Sequence, residues 1–140
     1  MIKGMKAAAN PKVRQRILVM DNNQDMLTLL NRSLELEGFD AIVVGDYDEA
    51  LSLFEKLKPD MVIMDTYTSD NDSLRTLDTM RARSDIPIVV VAANNEIETV
   101  KTMFAHGADD FIRKPFGIKS FVARIKAKLR RYNYEIHRHN

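Results

Sequence analysis

Cysteine and tryptophan are absent from the 140 residues, and glycine and proline number only five and four. Without cysteine there is neither a disulfide framework nor a thiolate metal site, so a core must hold by packing alone. No apolar stretch approaches the ~20 residues of a membrane-spanning helix. The first residues lack the apolar core of a signal peptide. No glycine-rich phosphate loop follows the first apolar run, where Asn22-Asn23-Gln24 stands instead, which argues against a flavin- or nucleotide-binding sandwich. These absences lead to the expectation of a soluble, cytoplasmic protein with no membrane partner.

What is present is ordinary in bulk and uneven in arrangement. Apolar residues make up 45% and charged residues 29%, as in globular proteins, and the length suits a single domain. The net charge of +1 conceals a segregation, since residues 1–16 carry five Lys or Arg and no acid. Residues 119–140 carry seven Lys or Arg against Glu135, which leaves nine bases and nineteen acids in 17–118. A basic end of this kind is more often a solvated tail than a nucleic-acid surface.

Residues 1–15 show no hydrophobic period and read as a disordered leader. From Arg16 onward, short aliphatic runs at 17–20, 41–44, 61–64, 86–91 and 110–113 alternate with segments of helical period. Met26, Leu27, Leu30 and Leu34 mark the first helix, closed by Gly38. Ala50, Leu51, Phe54 and Leu57 mark the second, with Asp46 or Asp48 as its cap and Pro59 as its stop. Leu74, Leu77 and Met80 mark the third, Ile97, Val100, Met103 and Phe104 the fourth, and Val122, Ile125, Leu129 and Tyr132 the fifth. Near-continuous apolar strands alternating with helices predict a doubly wound α/β sandwich: five parallel strands in flavodoxin-like order 2-1-3-4-5, helices on both faces. The domain is expected over 16–132, with 133–140 as a tail or the start of a linker.

Asp21 and Asp65 each follow one of the runs that become strands one and three, and Lys114 follows the fifth, ahead of Pro115. In an open parallel sheet these strand ends share the edge where ligands bind. Two carboxylates and an ammonium converging there suit phosphoryl acceptance on a carboxylate, a divalent cation to neutralise charge, and a lysine to hold the product. His106 beside Gly107 reads as an exposed helix-end residue, and His137 and His139 lie in a polar tail without metal-ligand context. Met20, Met61 and Met64 read as core.

The runs Ile17–Asp21, Pro59–Asp65 and Gly107–Phe116 resemble three motifs of the CheY-like receiver domain of two-component response regulators, over about residues 16 to 131. The resemblance implies that Asp65 takes a phosphoryl group from a sensor histidine kinase. It implies Mg²⁺ held by Asp65, by Asp21 with Asn22, and by the backbone carbonyl of Tyr67. It further implies that Lys114 pairs with a phosphoryl oxygen and that the Lys114–Pro115 bond is cis. Any catalysis would be at most self-phosphorylation and self-dephosphorylation.

Several positions depart from the family pattern. Asn22 stands for the second acid after strand one. Ala92 stands for the Thr or Ser whose hydroxyl contacts the phosphoryl group, and Phe111 is a switch aromatic without a hydroxyl. Ser69, Asp70 and Ser73 fill places where Pro and Gly are usual. These departures keep open a degenerate, phosphorylation-independent receiver that serves as a dimerisation or docking module. The segment 121–131 resembles helix five of the OmpR/PhoB-type subfamily, which implies a homodimer through helix four, strand five and helix five. Lys101, Asp109, Asp110, Arg124 and Arg131 are the candidate contacts, while Ser120 departs from the usual Glu. In that subfamily DNA is bound by a separate winged-helix effector domain, and Tyr132 to Asn140 are too few to form one.

Overall fold

The computed structural model describes residues 14–66, 71–93 and 96–138. Among the described residues, ten elements alternate in chain order: β1 (Arg16–Met20), α1 (Gln24–Leu36), β2 (Asp40–Val44), α2 (Tyr47–Leu57), β3 (Met61–Asp65), α3 (Asp72–Arg83), β4 (Ile88–Ala92), α4 (Ile97–Ala105), β5 (Asp110–Arg113) and α5 (Ile118–Arg138). The strands form one parallel sheet in the order β2-β1-β3-β4-β5. This is the order expected from the alternation of apolar runs with helical segments.

Period-two alternation divides the core into two layers. Ile17, Val19, Met61, Ile63, Val89 and Val91 face α1 and α5, where they pack with Leu27, Leu30, Leu34, Phe121, Ile125 and Leu129. Leu18, Met20, Val62, Met64, Val90 and Ile88 face the other way, onto Ala50, Phe54, Leu77, Met80 and Met103. Every residue of β3 and β4 is buried, which is why those runs lack a polar face.

Local chemistry sets the helix ends. The Asn23 side chain accepts the Met26 amide at the start of α1, and Asp46 accepts the Glu49 amide at 2.7 Å at the start of α2. α1 leads into Gly38 at φ 93°, a left-handed position that glycine adopts without a Cβ clash. α2 ends at Lys58, also left-handed, with Pro59 next. Helix four and helix five differ from expectation. In α4 only Met103 is buried, while Ile97 and Phe104 are exposed, so the apolar stripe is only partly covered by the sheet. α5 continues through 133–138, past the boundary expected at Tyr132. The leader read at residues 1–15 lies almost wholly outside the described residues.

Candidate functional site

Strand order brings the three predicted groups together. β1 and β3 are neighbours, so their ends place Asp21 and Asp65 side by side, and β5 delivers Lys114 across β4. Lys114 Nζ lies 3.0 Å from Asp21 Oδ2 and 3.0 Å from Asp65 Oδ1. Both carboxylates are buried, at 2% and 4% exposure, and the lysine is the solvent-side member of the trio. The Asn23 amide donates to Asp21 Oδ1 at 3.0 Å, which fixes that carboxylate within the turn after β1. The Lys114 amide donates to the Ala92 carbonyl at 2.9 Å, and the Lys114–Pro115 bond is cis.

The electrostatics follow from burial. Desolvation of the carboxylate raises the Asp65 pKa above its ordinary value; the Lys114 hydrogen bond opposes that rise and the Asp21 charge adds to it. Burial acts to lower the Lys114 pKa, but hydrogen bonds to Asp21 and Asp65, with their charges, more than offset it, and the ammonium is held above its ordinary value. The result is a basic, constrained carboxylate beside a fixed cation. Two facing carboxylates repel each other, and a divalent ion would relieve that repulsion. Mg²⁺ commonly binds through one or two carboxylates and retained water, so Asp21 and Asp65 fit it.

The other predicted positions are less uniform. Asn22 is exposed beside Asp21, and Tyr67, Ser69 and Asp70 lie outside the described residues. Ala92 is fully buried at the end of β4 and offers no hydroxyl, while Phe111 packs partly buried against the layer that contains Met103 and Ala108. Ser73 is buried in the first turn of α3. Asp109 pairs with Arg81 and Asp110 with Arg124, each at 2.6 Å within the chain; Lys101 and Arg131 are exposed. His106 caps the C-terminus of α4, with Nδ1 2.7 Å from an Asp78 carboxylate oxygen. His139 lies outside the described residues.

Two contributors were not read from the sequence. The Tyr47 hydroxyl donates to the Asp65 main-chain carbonyl at 3.0 Å. Its signal was the spacing of Tyr47 with Ala50, Leu51 and Phe54, which puts it on the buried face of α2. Arg81 donates to the carbonyls of Ser84, Ile86 and Gly107 and to Asp109, tying α3 to the segments that lead into β4 and β5. Nothing in a lone arginine on a helix announces that role.

Comparison with known proteins agrees with the fold. The family model described as the response regulator receiver domain matches residues 17–126. The DNA-binding response regulator MtrA of Mycolicibacterium paratuberculosis is 39% identical over 123 residues, covering 88% of this chain and 55% of the relative. A probable transcriptional regulator of Porphyridium aerugineum is 35% identical over 84% of this chain and 49% of the relative. The chain thus spans about half the length of these curated relatives. A two-component response regulator from Clostridium difficile superposes with a TM-score of 0.81 at 28% identity, covering 86% of this chain and 99% of that one.

Proposed function

This chain belongs to the response regulator receiver domain family of two-component signalling, and on that premise we propose that Asp65 is its phosphoacceptor. The observation that carries the proposal is the convergence of Asp21, Asp65 and Lys114, with the lysine 3.0 Å from each carboxylate. Phosphoryl transfer depends chiefly on positioning and charge stabilisation, and both are built into this strand edge. An Asp65 oxygen attacks phosphorus and forms the O–P bond of an acyl phosphate. The P–N bond to the histidine of a sensor kinase breaks, and its electron pair leaves with the imidazole, which takes a proton from solvent. Lys114 then turns from the Asp65 carboxylate to a phosphoryl oxygen and holds the product.

Receiver domains in general use Mg²⁺ for phosphorylation. Here Asp21 and Asp65 would hold it, with Asn22 and the Tyr67 carbonyl as further contacts, and it would supply neutralisation of the phosphoryl charge. The comparisons do not favour a phosphorylation-independent module, although Ala92 removes one hydrogen bond by which phosphorylation would be read out.

Dimerisation through α4, β5 and α5 fits the exposed Ile97, Lys101 and Phe104 of α4 and the exposed Arg131 of α5. The Asp109–Arg81 and Asp110–Arg124 pairs would have to exchange partners or stand as supports. Contact with DNA would come through a separate effector domain, in keeping with the names of the relatives. The test is intact-mass measurement after incubation with acetyl phosphate and millimolar Mg²⁺. Wild type gains one phosphoryl group and Asp65→Asn gains none; a wild type that never gains mass sinks the proposal.

A further inference from the structure

Tyr47 is the first residue of α2, directly after the Asp46 cap. Its ring is 8% exposed and packs in the layer that contains Met20, Ala50, Phe54, Met64 and Leu77. The hydroxyl at the far end of that ring donates to the Asp65 main-chain carbonyl at 3.0 Å, in a buried setting.

The strand ladder explains why this carbonyl needs a partner from outside the sheet. Pairing of β1 with β3 runs from Ile17 and Met61 to Met20 and Met64, and stops one residue short of Asp65. On the other edge of β3, the Val62 amide donates to Pro87 and the Thr66 amide to Val91. Alternation along the strand therefore turns the Asp65 peptide groups toward β1. There β1 has already given way to the turn at Asp21–Asn23. The acceptor thus stands where the ladder has run out, and a buried carbonyl at such a place takes its hydrogen bond from a side chain.

We propose that Tyr47 is a positioning residue for phosphoryl transfer: its hydroxyl fixes the peptide of Asp65 and so the direction of the attacking carboxylate. This rests on the reading of Asp65 as phosphoacceptor. Lys114 holds the carboxylate from one end, and Tyr47 holds the backbone from the other. Attack on phosphorus requires in-line placement, and a 1 Å displacement of reacting groups can cost ~10²-fold in rate. Tyr47 touches neither the donor nor the cation, so its effect belongs in the rate at saturation and not in the affinity for either.

The test compares wild type, Tyr47→Phe and Phe54→Leu for labelling by acetyl phosphate over a range of donor and Mg²⁺ concentrations. Tyr47→Phe keeps the ring and removes only the hydroxyl. It should lower the maximal labelling rate about tenfold, with the half-saturating donor and Mg²⁺ concentrations unchanged. Phe54→Leu loosens the same helix without touching Asp65, so it should lower the melting temperature and leave the labelling rate near wild type. An unchanged maximal rate in folded Tyr47→Phe, or an equal rate loss in Phe54→Leu, overturns the proposal. Wild type that does not label overturns the phosphoacceptor reading, and this inference with it; wild type that labels while Tyr47→Phe labels equally fast overturns this inference alone. A second measurement needs no variant. The buried Tyr47 hydroxyl proton should give its own slowly exchanging NMR signal, shifted when Asp65 is phosphorylated. A hydroxyl signal indifferent to phosphorylation overturns the proposal.

Discussion

Between the ordinary aspartate value of 3.8 and its own raised value, Asp65 keeps a proton in the folded chain that the unfolded chain has released. The folded state binds more protons there, so the Asp65 contribution to stability declines as pH rises through that window. Asp65→Asn has no such ionisation. Its stability relative to wild type should increase from pH 3.8 upward and level off above the raised value, as read from urea midpoints across pH; a difference flat with pH would show that Asp65 is not desolvated as the fold implies. Lys114 acts in the same direction at the alkaline end. Its stabilisation is fully present below 10.5 and is lost as pH climbs through its raised value. Asn22 gives a third expectation at this scale. One further negative charge beside a divalent cation is worth on the order of 1–2 kcal/mol in a largely aqueous setting, so Asn22→Asp should tighten Mg²⁺ about tenfold by calorimetric titration. Equal affinities would place Asn22 outside the coordination sphere.

At the scale of elements, α5 combines a fully buried anchor with exposed surroundings. Ile125→Ala deletes a side chain that is 0% exposed and should cost ~2–5 kcal/mol in denaturant unfolding. Leu36→Ala, at 86% exposure, should stay within about 0.5 kcal/mol. Asp46→Ala removes the α2 cap at a cost of ~1 kcal/mol. These contrasts also show what a sequence makes legible. The five strands and their order follow from runs such as Met61–Met64 and Val89–Val91, which are apolar on both faces because both faces are covered. Asp21, Asp65 and Lys114 were legible because each closes such a run. α4 was less so: Ile97 and Phe104 share the helical period with Met103, yet periodicity reports a face and not whether anything covers it. Tyr47 was missed because the partner it meets is a backbone carbonyl, and no side-chain pattern encodes one. The intrachain pairing of Asp110 with Arg124 was likewise hidden, since charge spacing does not say which chain supplies the partner.

For the whole molecule, the site is a property of topology: residues 44 and 49 positions apart meet only because β1 adjoins β3 and β5 lies beyond β4. On the proposed reading, phosphorylation would reach the α4–β5–α5 face through the end of β4 and the layer that holds Phe111. Ala92 would, on the same reading, weaken that route, since it is buried at the end of β4 and has no hydroxyl. Restoring it in Ala92→Thr should add a charge-assisted hydrogen bond worth ~1.5–3 kcal/mol to the phosphorylated state. That gain should appear as a larger phosphorylation-dependent change in α4 and β5 amide NMR shifts; no change in the response would place the readout elsewhere. The central claim, that Asp65 is the phosphoacceptor, is tested most directly by borohydride reduction of the labelled protein followed by peptide mass mapping. Reduction converts an aspartyl phosphate to homoserine, and the account predicts homoserine at position 65 and at no other aspartate; homoserine at Asp21, or unmodified Asp65 in a chain that has gained phosphate, would contradict it.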